Sequence, residues 1–332
     1  MQMRYLTAND IKKVFSMRQA IEADREALSL YSAGKADIPL RANIAVAKHH
    51  GQSLYMPGYV SGTQAALGIK IVSVYPDNPQ KKLPSVPATM ITLDAATGIV
   101  NAVLDGTYLT QLRTGAIQGL ATELLAKKDA HQALLIGTGG QAMAQLEAML
   151  TVRNLKKVYI FDLEQKRAQQ FVQQATDKFA GKFSTEFAAT ADPNQVVAQV
   201  EIITTVTTSH RATFDGRLVK AGTHINGIGA YTPEMCELPV ELLQKADRIF
   251  FDTNDGVLAE AGDIIQPLKS NQIDQNKFNG ELGQLINGQT AGRTTTDQIT
   301  VFKTVGTAAV DVVAADRIVR AAQKANVGTM LA

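Results

Sequence analysis

A glycine cluster set between a short apolar run and an amphipathic segment constrains this chain more than any other feature. The stretch "ALLIGTGGQAMAQL", residues 133 to 146, reads as strand, tight turn and helix. Within it Gly137, Gly139 and Ala142 stand as G-x-G-x-x-A. In a dinucleotide-binding loop the first glycine permits the turn and the second lets backbone approach a pyrophosphate. The small third residue allows helix and strand to pack closely, and the helix N-terminus faces the phosphate charge. A second strand, "VYIFD", ends in Asp162, 25 positions beyond Gly137, near the spacing expected for a carboxylate on an adenosine ribose. The competing reading is a purely structural strand-to-helix turn. With a nucleotide bound, Asp162 would repel a 2′-phosphate, so NAD is favoured and NADP is the alternative. Lys166 and Arg167 lie close enough to soften the preference.

The middle of the chain alternates strands with helices. "ALLIG", "VYIFD" (158 to 162), "EIITTV" (201 to 206), "HINGIG" (224 to 229) and "RIFFD" (248 to 252) are the strand candidates. That alternation predicts a parallel sheet with helices on both faces. The first part reads differently. Residues 8 to 32 are predicted as one helix, with Ile11, Val14, Phe15, Ile21 and Leu28 roughly on one side. "LGIKIVSVYP" (67 to 76) is strand-like and apolar on both faces, so it is expected to be buried. "ATMITL" and "IVNAVL" flank "DAATG" as a hairpin in which Gly98 takes positive φ. Residues 107 to 128 form a long helix that closes on two lysines, suited to the negative end of its dipole. The tail from about residue 303 is predicted helical, with Val305, Ala308, Ala309, Val312 and Val313 on one side, and is expected to cross back onto the first domain. The division that follows is 1–126 plus 303–332, and 127–302.

Bulk composition excludes several functions. Lys and Arg total 33 against 31 Asp and Glu, so a net charge of +2 gives no general pull towards nucleic acid or an anionic membrane. One cysteine, Cys236, allows no internal disulfide, fits a reducing compartment, and reads as packing rather than chemistry. No apolar run approaches the roughly 20 residues that span a bilayer. The opening "MQMRYLTANDIKKVF" lacks an apolar signal core, so residence in the cytoplasm is expected. The five histidines show no metal-ligand spacing, and no metal is expected.

Two cations sit where apolar residues should be. Lys70, in "GIKIVSVY", shares a strand face with Val72 and Val74 while Ile69 and Ile71 fill the other. Such a lysine either pairs with an anion or lines a polar cavity, or else lies on an edge strand and snorkels to solvent. Arg113 is surrounded at helical spacings by Leu109, Leu112, Ala116, Ile117 and Leu120. Its guanidinium requires an anion, supplied by a ligand carboxylate or phosphate or by an internal Asp or Glu. Arg41, in "IPLRANIAV", follows Pro39 on an extended segment, and its position alone says little.

In order along the chain, "RANIAV", "GIKIVSVYPDN", "DGTYLTQLRTGAIQGLAT", "LLIGTGGQA", "TTVTTS", "GTHINGIGAYTPEMCEL" and "ITVFKTVGTA" resemble the ornithine cyclodeaminase/mu-crystallin family. The resemblance implies an α/β protein with a Rossmann NAD(P)-binding domain and an α+β substrate and dimerisation domain completed by the C-terminal helix. It implies a homodimer acting on a small molecule. Carried over by position, Arg41 and Lys70 would contact substrate, the arginine holding its carboxylate, and Arg113 would lie beside cofactor and substrate acid. Gly140 and Gln141 would cover the pyrophosphate. Thr207, Ile225, Asn226 and Gly227 would line the nicotinamide side, Thr304 and Val305 would close the site from the tail, and Ser85 is a further cofactor candidate.

One position departs from the pattern. Cyclodeaminases carry an aspartate just after the glycines of the "HINGIG" segment, and here that position is Tyr231; Met235 stands where those enzymes show a cofactor-contacting lysine. A tyrosine, with a reference pKa near 10, is no resident anion for a diamine at neutral pH. The sequence therefore points to a reductase of a cyclic imino acid, Δ1-pyrroline-2-carboxylate or its six-membered homologue. Lys70 would supply a proton, and Tyr231 would either hydrogen-bond on the ring side or only pack there. The rivals are ornithine cyclodeaminase, an alanine-type amino-acid dehydrogenase, and a non-catalytic ligand binder of the crystallin kind.

Overall fold

The strands of the described residues assemble into two eight-stranded sheets. The computed structural model describes residues 2–332. It divides into one unit running up to Ala116 and resumed by Thr307–Ala332, and another formed by Ile117–Gly306.

The first unit contains β1 (Met3–Leu6), α1 (Ala8–Val14), α2 (Met17–Ser32), β2 (Ala36–Asp37), β3 (Ala42–Val46), β4 (Gly51–Val60), β5 (Ala66–Val74), β6 (Ala88–Leu93) and β7 (Val100–Asp105). The helix expected over 8–32 is two helices. Ser16 interrupts it: its hydroxyl accepts from the Gln19 amide at 3.3 Å while Gln19 Oε1 accepts from the Ser16 amide at 2.9 Å, a capping box that starts a new helix. The sheet runs from a C-terminal strand (Thr329–Leu331) through β1, β7, β6, β5 and β4 to β2, with β3 also paired to β4. Only β1 and β7 are parallel. The "DAATG" turn joins β6 to β7 with Gly98 at φ +72°.

β5 is thus an interior strand, and its pleat decides the rest. Ala66, Gly68, Lys70 and Val72 are buried, while Leu67, Ile69 and Ile71 on the other face are half-buried. The C-terminal helix (Ala308–Ala325) packs across β4 and β5 and against α2. Close approach is allowed at Gly58, where a Cβ would come within 3.2 Å of the Ala308 Cβ. Fully buried side chains such as Met90 and Leu104 each stabilise this layer by about 2 kcal/mol. The tail is helical only from Ala308, with Thr307 as its cap; the four residues Thr300–Lys303 are a strand instead.

β7 leads directly into α3 (Gly106–Leu125). It begins at a glycine because a Cβ there would lie 2.6 Å from the Thr89 amide nitrogen. It stops at Leu125, so Lys127 and Lys128 stand just past its end rather than in its last turn. The second unit then assembles β8 (Gln132–Ile136), α4 (Ala142–Val152), β9 (Lys157–Phe161), α5 (Gln165–Phe179), β10 (Glu186–Ala189), β11 (Ile202–Thr205), β12 (His224–Gly227), β13 (Arg248–Phe251), β14 (Phe278–Glu281) and β15 (Thr300–Lys303). The order is β10-β9-β8-β11-β12-β15-β13-β14, parallel throughout. Three of these strands, β10, β14 and β15, escape the sequence pattern, their short runs showing too little alternation to register. Leu134 and Ile203 pack into one core and Ala133 and Ile202 into another, so both faces of the sheet are covered. The chain reverses its direction of sheet growth between β8 and β11. In open α/β sheets, ligands bind at the carboxyl ends of the strands flanking such a reversal.

Candidate active site

In the first unit three charged side chains from distant segments converge out of solvent. Lys70 projects from β5 toward the C-terminal helix, with its Nζ 2.7 Å from Asp311 Oδ2 and 2.8 Å from Oδ1. Arg113, on α3, places Nε 2.9 Å from Asp311 Oδ1. Lys70 and Asp311 are fully buried and Arg113 nearly so. Burial, with the Arg113 cation beside it, pushes the Lys70 ammonium down to about 7, against the opposing pull of Asp311. The Asp311 carboxyl is held below its usual value because Arg113 and Lys70 outweigh the cost of burying it. Arg41, half-buried just before β3, lies close enough to act electrostatically on both Lys70 and Asp311. The edge-strand reading of Lys70 is therefore wrong, and the anion facing Arg113 is internal. A second carboxyl, Asp24 on α2, is fully buried with neither oxygen hydrogen-bonded. Burial raises its pKa well above the ordinary range, opposed by Arg113 and reinforced by Asp311.

In the second unit the glycine loop leaves β8 at the reversal of the sheet. Gly137 has φ +104°, and a Cβ there would meet the Val206 carbonyl at 2.7 Å and Thr207 Cγ2 at 2.9 Å, so the first glycine and Thr207 are brought together. Gly139 and Gly140 are exposed, and a Cβ on either would meet nothing within 4 Å. α4 follows Gln141, whose side chain makes no cap; the Ala142 and Ala144 amides of its first turn donate to the Gly139 and Gln141 carbonyls at 3.0 and 3.2 Å. Asp162 follows β9 and reaches back to the loop, accepting from the Thr138 amide at 3.1 Å. Its half-buried carboxylate also accepts from the Thr138 hydroxyl at 2.5 Å and, through Oδ1, from the Glu164 amide at 3.1 Å, which leaves a lone pair on Oδ1 for a ribose hydroxyl. Bare glycines, an uncapped helix and a carboxylate at the second strand fit a dinucleotide.

The remaining candidates differ in what they expose. Ile225 turns into the core. The Asn226 amide is spent internally, donating to Thr122 Oγ1 at 3.1 Å and accepting from His224 Nε2 at 2.9 Å. His224 is fully buried, and burial together with Arg293 depresses its pKa to about 3, so it stays neutral. What Ile225, Asn226 and Gly227 can offer a ligand is backbone at the carboxyl end of β12. Thr304 donates its hydroxyl to Asp252, and the Val305 and Gly306 amides donate to the same oxygen at 3.2 and 2.8 Å. Tyr231 is half-buried against the apolar core of this unit. Ser85 is half-buried before β6, its carbonyl accepting from the Tyr75 amide at 2.8 Å. Burial and the neighbouring Asp263 push the Cys236 thiol up to about 12, so it stays protonated.

The sequence reading missed Asp311, Asp24 and the buried pair Lys303–Asp263, in which Nζ lies 2.8 Å from Oδ2. Each carried a signal. Asp311 interrupts "AAVDVVAA", Lys303 follows "ITVF", and Asp24 lies on the apolar side of α2.

An all-parallel sheet with an open glycine loop at its reversal defines a Rossmann-type nicotinamide-dinucleotide protein. The chain belongs to the ornithine cyclodeaminase/mu-crystallin family, whose model matches residues 1–326. It is 34% identical over 329 residues to a Delta(1)-pyrroline-2-carboxylate reductase of Bacillus cereus, covering 99% of each chain. Among solved structures it resembles the Thermococcus litoralis Delta(1)-pyrroline-2-carboxylate reductase in complex with NADH and L-proline, at 37% identity and a TM-score of 0.93, over 98% of this chain and 99% of that one. An archaeal alanine dehydrogenase dimer with bound NAD is similar at 33% identity and a TM-score of 0.91, over 100% of this chain and 99% of that one. Among the described residues no helix is long and apolar enough to cross a membrane.

Proposed function

We propose that this protein is an NAD(P)H-dependent reductase that converts a cyclic imino acid, Δ1-pyrroline-2-carboxylate or Δ1-piperideine-2-carboxylate, to the cyclic amino acid. The observation that carries the proposal is the buried Lys70–Asp311–Arg113 cluster with Arg41 in electrostatic reach. Three basic side chains thus gather around Asp311, and burial raises the pKa of the second carboxyl, Asp24. A ligand carboxylate suits that basic surrounding. Full-length similarity to a reductase solved with NADH and L-proline supports the same ring and the same carboxylate.

Arg41, helped by Lys70, takes the substrate carboxylate, and Arg113 stays on Asp311. When bound at Gly137–Gln141 and Asp162, reduced nicotinamide supplies the hydride for the C=N carbon. Lys70 delivers the proton that the ring nitrogen requires; an ammonium whose pKa is near 7 is matched to donation at neutral pH. Fixing the ring in one orientation is the largest contribution asked of the protein. Thr207 and the backbone at Gly227 would flank the nicotinamide, with Thr304 and Val305 closing the site and Ser85 contributing to the cofactor's surroundings. Tyr231 would cap the ring side in place of the aspartate of cyclodeaminases.

The proposal extends to a cytoplasmic homodimer. The half-buried apolar face of β5 opposite Lys70, with Leu67, Ile69 and Ile71, supports pairing with a second copy, as does the dimeric alanine dehydrogenase. That same relative favours alanine as a second substrate class. The test follows NADH and NADPH absorbance with five- and six-membered cyclic imino acids, and runs alanine and ornithine with the oxidised cofactor. Stoichiometric NADH loss with a cyclic imino acid supports the proposal. Preferential alanine oxidation, or ammonia release from ornithine with only catalytic NAD, refutes it.

A further inference from the structure

One buried carboxylate ties together the ends of two neighbouring strands. β11 and β12 pair side by side, and past their carboxyl ends the chain turns away at Thr207 and at Gly229–Ala230. Glu237, fully buried, accepts from the Thr207 amide through Oε1 at 2.6 Å. Its Oε2 accepts from the Gly229 amide at 2.6 Å and the Ala230 amide at 2.9 Å. Asp263 Oδ1 in turn accepts from the Glu237 and Leu238 amides at 2.6 and 2.9 Å, and Asp263 Oδ2 faces Lys303 on β15. The two loop ends are packed against each other: a Cβ on Gly229 would fall 2.0 Å from the Thr207 carbonyl oxygen and 2.4 Å from its nitrogen.

A purely structural link between adjacent parallel strands needs no acid, because the backbone ladder already supplies it. Burying a carboxylate is costly unless its hydrogen-bonding capacity is filled. Here both oxygens are filled by amides from two loops, and the Lys303–Asp263 pair stands behind them. Burial raises the Glu237 acid above its ordinary value, Lys303 pulls it back, Asp263 pushes it further up, and the Thr207 hydrogen bonds favour the ionised form.

We propose that Glu237 is a positioning residue for hydride transfer: by gripping three backbone amides it sets the spacing between Thr207 and Gly229–Ala230, and so the pose of the nicotinamide ring. This rests on the proposed function, in which Thr207 flanks that ring. The adenosine half is assigned to Gly137–Gln141 and Asp162, of which Gly137 abuts Thr207 and none touches Glu237 through a hydrogen bond. Glu237 should therefore govern what happens at the nicotinamide and leave the ADP-ribose portion alone.

The test compares wild type, Glu237→Gln and Gly229→Ala for kcat at saturating NADH and for the inhibition constant of ADP-ribose, which lacks the nicotinamide. Glutamine keeps the shape of the side chain but turns an NH₂ toward at least one of the backbone donors. The alanine forces the same loops apart with Glu237 intact. Losing one charge-assisted hydrogen bond and displacing the ring should lower kcat by about tenfold or more in both variants. ADP-ribose inhibition should stay within about twofold of wild type, since neither substituted residue is among its assigned contacts. Unchanged kcat overturns the inference, and so does a parallel loss of ADP-ribose affinity, which marks a general structural role. A wild-type protein that reduces no imino acid while still binding ADP-ribose would instead sink the functional reading, and this inference with it.

Discussion

Lys70 and Asp311 lie 241 residues apart in the chain and meet at 2.7 Å, both removed from solvent. Everything proposed for the substrate follows from that meeting. A lysine on an interior strand is stable only because the C-terminal helix returns to lay an aspartate on it. The same aspartate engages Arg113, so one anion serves two cations.

The first consequence concerns pH. A proton donor must be protonated before turnover, and Lys70 loses its proton near pH 7. In the reducing direction kcat/KM should be level below about pH 7 and fall tenfold per pH unit above it. In the oxidising direction the same group acts as base, so the rate should rise up to about pH 7 and then level. Lys70→Arg keeps the positive charge but cannot cycle a proton, and should lose about 10²–10⁴ in kcat together with the pH limb. Initial rates over a pH series check both.

Removing the anion should expose its cost. Asp311→Asn leaves Lys70 and Arg113 buried without their carboxylate, and is expected to destabilise the fold by about 3–5 kcal/mol. Denaturant unfolding measures this. Because Asp311 raises the Lys70 pKa, the substitution should also move the alkaline limb of the reduction profile to lower pH.

Asp24 should behave in the opposite sense. Its pKa is raised in the folded protein, so the folded state keeps a proton that the unfolded chain releases above about 3.8. Stability is therefore unaffected below that pH and declines as pH rises toward the folded pKa. Asp24→Asn is neutral at every pH and escapes the decline. Its melting temperature should match wild type near pH 4 and exceed it at pH 7, by about 1–4 °C for each kcal/mol recovered. Scanning calorimetry at the two pH values decides it.

Cofactor preference should rest on Asp162. Asp162→Asn still accepts from the Thr138 amide, so the loop stays in place while the charge is removed. The ratio of kcat/KM for NADH to that for NADPH should fall by about tenfold or more, since one lost charge interaction is worth about 1.5 kcal/mol or more. Arg167 already pairs with Glu164 at 3.8 Å and is only partly diverted from an incoming phosphate.

Much of this was legible in the residues. The glycine loop, the acid at Asp162, the hairpin at Gly98 and the anomaly of Lys70 each follow from local chemistry. The identity of Lys70's partner does not, since periodicity along one segment says nothing about which distant helix will cover it. Asp311 is audible only as an acid among alanines and valines. Asn226 shows the converse: its place in the "HING" run suggests a ligand contact, yet its side chain is taken by Thr122 and His224 through pairings that no spacing predicts. Ser16 broke an apparently continuous helix because a capping box outweighs apolar periodicity.

The most direct measurement compares Δ1-pyrroline-2-carboxylate with Δ1-pyrroline, the same ring without its acid group, as acceptors for NADH. If Arg41 and Lys70 recognise the carboxylate, its absence forfeits those charge-assisted contacts and should cost about 3 kcal/mol, or roughly a hundredfold in kcat/KM. Comparable reduction of the two rings would contradict a role for Arg41 and Lys70 in holding the substrate.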